Sequence, residues 1–404
     1  MSSALLSKIS LYPVKSIGGL SLSSAWVEKQ GLLFDRRFML AFADGGMVTA
    51  RKYPSMVNIR SVLTPDGLIF SAPNRPSLKV CYQTFKMQPT QAQVWKDSFT
   101  AYTTTDEACD WFSAVLGRRV ELLFTGEQSN RVREKVGSNV SFADGYPVLV
   151  ISQSSLDELN RRSSETHSMD QFRTNLVVSG TEPFAEDGWK RIRIGEVEFE
   201  AVKPCERCIL TTVDVEKGAF RASKEPLQTL SQFRANEQGG VFFGQNLIAK
   251  NEGMIHVGDE IEVLEYKEKE VYVDHGQVRL GTERETTAKN LLLKQGLQEK
   301  KRYHQEEFGV TQWVSKAYKT LKISLDGHVF QGNNQSSLLE QAEAAGISMA
   351  NSCRAGFCGA CKVTVASGKV SYPELPALLE EERYLGKALA CSCIPETDIE
   401  VVSD

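Results

Sequence analysis

Cys353-Arg-Ala-Gly-Phe-Cys358-Gly-Ala-Cys361, with Cys391 thirty residues further on, is the stretch that decides how this chain is read. A C-x4-C-x2-C run with a distant fourth cysteine lets four thiolates share the two irons of a [2Fe–2S] cluster. The intervening residues Ala355, Gly356, Gly359 and Ala360 are small. Small residues let the backbone wrap closely and aim N–H groups at the cluster sulfurs, which tunes the potential. A zinc site with four cysteines and a set of unligated buried cysteines are the competing readings. Zinc more often takes two short paired elements, and only one side is paired here.

Around this motif, residues 320–404 hold 6 Lys and Arg against 11 Asp and Glu, while residues 1–319 hold 41 against 40, so the tail reads as a separate acidic module. Leu321, Ile323 and Leu325 alternate into Asp326-Gly327 and Val329, a hairpin signal. Ser337-Leu-Leu-Glu340 is a capping box ahead of Leu338, Leu339, Ala342 and Ala345, and Gly346 suits the helix end. Strands at Lys362 to Val365 and Ile399 to Val402 complete a small α+β unit. The tail resembles a plant-type ferredoxin domain. That likeness implies a β-grasp fold, one-electron transfer, and Cys353, Cys358, Cys361 and Cys391 as ligands, with Cys393 left over.

The whole chain has 404 residues, 41% apolar and 24% charged, which makes two to three globular domains the prior. No apolar run approaches the ~20 residues of a membrane span, and the N-terminus lacks a signal-peptide pattern. We expect a cytoplasmic protein with no membrane association. A net charge of -4 argues against a nucleic acid polymer as partner. Nine cysteines, five crowded into the tail, speak for metal or redox chemistry rather than a disulfide framework.

Upstream of the tail the texture changes twice. Short alternating runs such as Leu5 to Leu11, Phe38 to Ala43 and Ile59 to Leu63, broken by Gly-Gly, Asp-Gly and Pro, predict a β-barrel or sandwich. From Val120 a mixed, strand-rich α/β pattern begins. It has strands at Val148 to Ile151, Leu176 to Val178, Ile192 to Ile194, Val197 to Val202 and Ile261 to Leu264. A helix with Leu156 and Leu159 on one face is expected to be capped by Ser154 or Ser155. From Glu265 the chain is rich in charge and Gln, with one weakly amphipathic stretch at Ala288, Leu291, Leu292 and Gln295. As a flexible coil of ~54 residues this linker would reach about 40 Å. The expectation is a multidomain chain: 1–119, 120–265, a linker at 266–319, and 320–404.

A second cysteine pair lies in Lys203-Pro-Cys205-Glu-Arg207-Cys208. Lys203 and Arg207 are placed to lower the pKa of a nearby thiol. Alone, C-x2-C fits half a zinc site, a dithiol pair or two structural cysteines. Further motifs narrow this: Tyr12-Pro-Val-Lys15-Ser16, Phe34-Asp-Arg36-Arg37-Phe38, Phe142-Ala-Asp-Gly-Tyr-Pro147, Gln171-Phe-Arg173-Thr-Asn175-Leu-Val-Val-Ser-Gly180 and Phe243-Gly-Gln-Asn246. Together they resemble the MOSC family with its N-terminal β-barrel domain. With the tail, the chain resembles the YcbX-type MOSC–ferredoxin fusion proteins, relatives of the mitochondrial amidoxime-reducing components.

The resemblance implies a molybdenum cofactor (molybdopterin) with Cys208 as the molybdenum ligand and Cys205 as a neighbour. Lys15, Ser16, Arg36, Arg173, Asn175, Arg207 and Asn246 match positions that hold the pterin and its phosphate. Guanidinium forks suit phosphate and amides suit the pterin edge. Arg37 and Arg51 are further basic candidates, and Glu182 is considered as a proton donor. The implied activity is reductive removal of oxygen from N-hydroxylated compounds such as base analogues and amidoximes, a detoxification. Electrons would enter through the cluster from a separate NAD(P)H-dependent flavoprotein reductase, since the chain shows no dinucleotide or flavin motif. A second reading is a non-catalytic sulfur or molybdenum-cofactor carrier with Cys208 as persulfide or metal site. A third, a pure electron carrier, leaves the basic constellation unexplained.

Overall fold

The computed structural model describes residues 4–133, 137–273, 318–351, 359–371 and 385–404, together with Gly356, Leu378, Glu382 and Arg383. Cys353, Cys358, the amphipathic stretch from Ala288 and residues 274–317 of the linker lie outside them. Two compact units result, Met1–Thr229 with Phe242–Val271, and Leu230–Val241 with Tyr272–Asp404. Among the described residues no helix is long and apolar enough to cross a membrane.

The first unit is built on an eight-stranded sheet in the order Leu20–Leu22, Leu5–Leu11, Leu176–Ser179, Val148–Ser152, Phe242–Ala249, Val197–Glu206, Trp189–Ile194 and Ile261–Tyr266. Val148–Ser152 and Leu176–Ser179 run parallel. A parallel pair needs a crossover, and the helix Gln153–Arg162 supplies it. Leu156 and Leu159 are buried, as their spacing requires, but the cap is Ser152 rather than Ser154 or Ser155. The strand turns into the helix without a loop, so the last extended residue, at φ -80 and ψ 148, is already the cap.

The first strand, Leu5–Leu11, is an inner member of this sheet and contributes Leu6, Ile9 and Leu11 to its core beside Val150, Leu176, Phe199 and Leu247. The other N-terminal strands form a four-stranded sheet (Phe38–Ala41, Glu121–Phe124, Asp97–Thr103, Pro89–Val94) and a three-stranded one (Arg60–Thr64, Gly67–Ser71, Leu78–Cys81), while Ser24–Glu28 and Gly31–Leu32 join Gly253–His256 in a further sheet. Phe38–Ala41 is buried on both faces. Phe38 and Leu40 enter one core with Phe70 and Phe112, and Met39 and Ala41 enter another with Ala92 and Phe142. Its partner Glu121–Phe124 lies just past residue 119, so pairing continues beyond the end of the barrel-like sequence pattern.

In the second unit, a five-stranded sheet runs in the order His328–Asn333, Thr320–Leu325, Ile399–Ser403, Lys362–Ser367 and Lys387–Leu389. The hairpin turns at Asp326-Gly327, and Thr320–Leu325 pairs parallel with Ile399–Ser403. Helix Leu338–Ala344 carries the Ser337–Glu340 capping box and buries Leu338, Leu339 and Ala342. Its first N–H groups, from Leu338 and Leu339, donate to the carbonyls of Cys393 and Ala390 at 2.9 Å. This is a β-grasp arrangement.

Ser152 also hydrogen-bonds through its N–H to the buried Glu186 carboxylate at 3.1 Å, and its Oγ accepts from Ser155 N at 3.2 Å. Ser152→Ala is expected to cost about 1–2 kcal/mol, the loss of a helix cap, read as a lower midpoint in urea unfolding. A melt identical to the parent's would show that the cap is dispensable.

Candidate functional site

Two neighbouring strands deliver the second cysteine pair. Val197–Glu206 pairs antiparallel with Phe242–Ala249, with register shifts between Ala201 and Lys203 and between Pro204 and Glu206. Proline has no N–H for the ladder, so the strand loosens there and the chain leaves it through Arg207 to Cys208. Cys208 caps a 3-10 turn, Ile209–Thr212, and its carbonyl accepts from the N–H and hydroxyl of Thr211 at 3.1 and 3.0 Å. The Phe243-Gly-Gln-Asn246 motif also has a packing reason. A Cβ on Gly244, at φ +82, would fall 2.5 Å from Ile151 Cγ1 and 2.7 Å from Val150 O.

Lys15, Ser16, Arg36, Arg173, Asn175, Arg207, Cys208 and Asn246 all line one solvent-open cleft, with Cys205 in the same wall. The base hydrogen-bonded to Cys208 is Arg51, while the Arg207 charge, as its place in the motif predicts, works to lower the Cys205 thiol against burial. Arg51 Nε donates to Cys208 Sγ at 3.3 Å, its Nη2 donates to Asp144 Oδ2 at 2.9 Å, and its guanidinium lies 4.6 Å from the Trp95 ring centroid. Lys203 is exposed. Arg207 is buried and donates to the carbonyls of Phe243, at 2.8 and 2.5 Å, and Phe172, at 3.2 Å.

Asp144 joins the two halves of the cleft. Lys15 Nζ donates to it at 2.5 Å and Trp95 Nε1 at 3.2 Å. Desolvation opposes its charge, but Lys15 and Arg51 outweigh that and hold the carboxyl well below the usual range. Burial lowers Lys15 to about 8, with Asp144 working the other way. Burial also pushes the Cys205 thiol up. Glu182 does not face this cleft; it lines a separate depression with Trp189 and Tyr266.

At the other end, Arg36 and Arg173 flank the buried Tyr12 ring, 4.6 and 4.3 Å from its centroid. Arg36 is held by Asp35, by Asn175 Oδ1 at 2.9 Å and by the Arg173 carbonyl at 3.0 Å. Asn175 is buried and has no amide group to offer the cleft: its Nδ2 donates to Ser10 O at 3.2 Å, and its Oδ1 also accepts from Leu149 N at 3.2 Å. It therefore acts through Arg36. Asn246 Nδ2 bonds the carbonyls of Lys203 and Pro204 at 3.2 and 3.3 Å.

Arg173 Nη1 donates to Ile17 O at 2.5 Å, whereas its Nη2 is buried with no partner among the described residues. Burial, with Arg36 adding to it, lowers Arg173 to about 10. An unpaired buried guanidinium N–H is costly, and a phosphate oxygen is the acceptor that suits it. Ser16, Arg36 and Arg173 have φ of 71°, 50° and 54°, and Trp95 has 58°. Left-handed backbone at non-glycine residues costs on the order of 1 kcal/mol or more each, and such strain gathers at ligand sites. The cleft thus fits a phosphorylated cofactor with a soft metal at the thiol.

In the second unit, Cys391 N–H donates to Cys361 Sγ at 3.4 Å, and Cys361 is almost fully buried. Cys393 is wholly buried in the apolar core beside Leu338 and Leu389, and burial pushes its thiol up to about 12.

Comparison with known proteins assigns three segments of the chain to domain families. Residues 3–119 match the MOSC N-terminal beta barrel domain, residues 137–262 the MOSC domain, and residues 322–396 the 2Fe-2S iron-sulfur cluster binding domain. Fold and cleft thus define a MOSC-domain protein carrying a ferredoxin-type domain. The chain is 34% identical over 274 residues to mitochondrial amidoxime-reducing component 1 of Mus musculus, covering 63% of this chain and 80% of that protein. The Homo sapiens protein is 32% identical over 278 residues, 63% and 81%. Molybdenum cofactor sulfurase of Oryza sativa subsp. japonica is 30% identical over 264 residues, 59% of this chain and 32% of that protein. The chain belongs to the MOSC family that includes the amidoxime-reducing components.

Sequence reading named Arg51 only as a spare base and gave Asp144, Tyr12 and Trp95 no role. Asp144 and Tyr12 lie inside quoted motifs, so a signal existed. Trp95 stands alone in a strand turn and carries none.

Two measurements follow. Cys391→Ser is expected to lose most of the iron and the visible absorbance, while Cys393→Ala keeps both, read by metal analysis; the reverse result exchanges the two cysteines. Sulfate binding to cofactor-free protein is expected to weaken as pH rises through about 8, where Lys15 loses its charge, and to hold beyond that pH in Lys15→Arg. Calorimetric titration at pH 7 and 9 checks this, and equal affinity at both would remove Lys15 from the anion site.

Proposed function

We propose that the protein is a molybdenum-cofactor-dependent oxidoreductase that removes oxygen from N-hydroxylated compounds, with electrons entering through its [2Fe–2S] domain. The observation that carries this reading is one cleft joining a cysteine sulfur, an unpaired buried arginine N–H and a row of fixed bases, in a chain that also holds a ferredoxin-type domain. Residues 1–119 and 120–265 together form the cofactor body, 266–319 the tether and 320–404 the electron relay.

In this reading Cys208 ligates molybdenum, and Cys353, Cys358, Cys361 and Cys391 ligate the cluster. Arg173 and Arg36 take the pterin phosphate, with Asn175 fixing Arg36. Lys15, Ser16 and Asn246 line the pterin's path, and Arg207 stiffens the wall by tying Phe172 to Phe243. The bound molybdenum supplies two-electron abstraction of oxygen from an N–OH group. The balance is one N–O bond broken, two electrons and two protons consumed, and water released with the amine, amidine or base. A [2Fe–2S] cluster held by Cys353, Cys358, Cys361 and Cys391 would supply one-electron steps, with an NAD(P)H-dependent flavoprotein reductase as the source of the electrons. Substrates are N-hydroxylated base analogues and amidoximes, and the role is detoxification in the cytoplasm, where a thiol-rich chain stays reduced. A carrier of sulfur or cofactor has no use for a tethered electron relay, which favours the enzyme.

Purified protein with a chemical reductant is expected to convert benzamidoxime or an N-hydroxylated base to its deoxygenated product. Protein from a strain unable to make molybdenum cofactor is expected to be inactive with its iron intact. Removing residues 320–404 should abolish turnover driven by the flavoprotein but spare turnover by a small direct reductant. Activity in molybdenum-free protein, or none in molybdenum-replete protein across such substrates, would shift the reading to the carrier.

A further inference from the structure

Arg51 touches the sulfur of Cys208, yet phosphate binding makes no demand on it. Its guanidinium is fixed in three directions: Nε on Cys208 Sγ at 3.3 Å, Nη2 on Asp144 at 2.9 Å, and one face on Trp95 at 4.6 Å. Each support is itself held. Asp144 is tied to Lys15 and to Trp95 Nε1, and the Trp95 carbonyl accepts from Gln93 Nε2 at 2.9 Å. The Arg51 side chain is 15% exposed, so water screens its contact with sulfur only weakly. A lysine ammonium has no planar face to lay on Trp95 and no rigid fork to hold Cys208 and Asp144 in fixed directions at the same time.

We propose that Arg51 is a positioning residue that sets the reduction potential of the molybdenum site through its N–H···S hydrogen bond to Cys208. A hydrogen bond to a ligating sulfur withdraws electron density from it. The sulfur then donates less to the metal, the reduced metal is favoured, and the potential rises. Asp144 and Trp95 keep the donor aligned. The cluster is held by other cysteines and serves as an internal reference.

The inference rests on Cys208 as the metal ligand, so metal content is read first. Holoenzyme and its Arg51→Lys, Arg51→Gln and Trp95→Leu variants are compared by metal analysis and by redox titration of the Mo(V) electron paramagnetic resonance signal. Expected are molybdenum contents within twofold of the parent and a lower molybdenum potential with an altered Mo(V) signal in Arg51→Gln. Arg51→Lys should show partial recovery, and Trp95→Leu a smaller shift in the same direction. The cluster potential should be unchanged throughout. Retained molybdenum with unchanged potential and signal in Arg51→Gln overturns the proposal. So does loss of molybdenum from both Arg51 variants combined with a Trp95→Leu protein identical to the parent, which marks a structural role alone. A parent protein without molybdenum fails at the level of the proposed function; a parent with molybdenum and an unresponsive potential fails only here.

Discussion

The antiparallel pairing of Leu5–Leu11 with Leu176–Ser179 is the contact on which the cleft depends. It draws the chain's first strand into a sheet whose other inner members come from residues beyond 147. Ser10 and Asn175 close this pairing at its end: Ser10 N donates to Asn175 O at 2.7 Å and the Asn175 side chain returns to Ser10 O. Tyr12, Lys15 and Ser16 follow directly on one side, and Arg173 precedes on the other. A slip of one residue would turn every buried side chain of Leu5–Leu11 to the wrong face, so the apolar pattern that secures the core also secures the cleft.

Seven cationic side chains, Lys15, Arg36, Arg51, Arg133, Arg173, Lys203 and Arg207, share a space faced, among the described residues, by only two carboxylates, Asp144 and Glu206. Aromatic faces make that crowding tolerable: Tyr12 lies between Arg36 and Arg173, Trp95 under Arg51, and Phe172 under Arg207 at 5.3 Å. A ring face attracts a cation without adding a competing carboxylate that would repel a phosphate. The positive excess is built in before any ligand arrives, and an anion bound there stabilises the folded state by mass action.

Periodicity made the strands, the crossover helix and the tail's hairpin and capping box readable, because each is a local pattern with a local cause. The site was readable to the extent that its residues sit in contiguous motifs. Cys208, Arg36 and Arg173 fall in the cleft on that basis. Side-chain direction was not readable, since Asn175 turns inward to Arg36 and Glu182 faces another depression. The Arg51–Cys208 contact spans 157 positions and the supporting Trp95 lies in neither motif. Such contacts arise from sheet packing and leave no trace in spacing. The helix cap was misplaced for a related reason: where a strand turns straight into a helix, the backbone angle of Ser152 chooses the cap from a run of serines.

The β-grasp helix also fixes the segment that carries Cys391. Its first two N–H groups grip the carbonyls of Ala390 and Cys393, the residues on either side of Cys391 and its neighbour Ser392. The segment bearing that cysteine is therefore anchored to a rigid element at both ends, and Cys391 N–H already points at the sulfur of Cys361. These backbone hydrogen bonds form when the domain folds, so the position of residues 390–393 is set by the helix rather than by whatever the cysteine sulfurs hold.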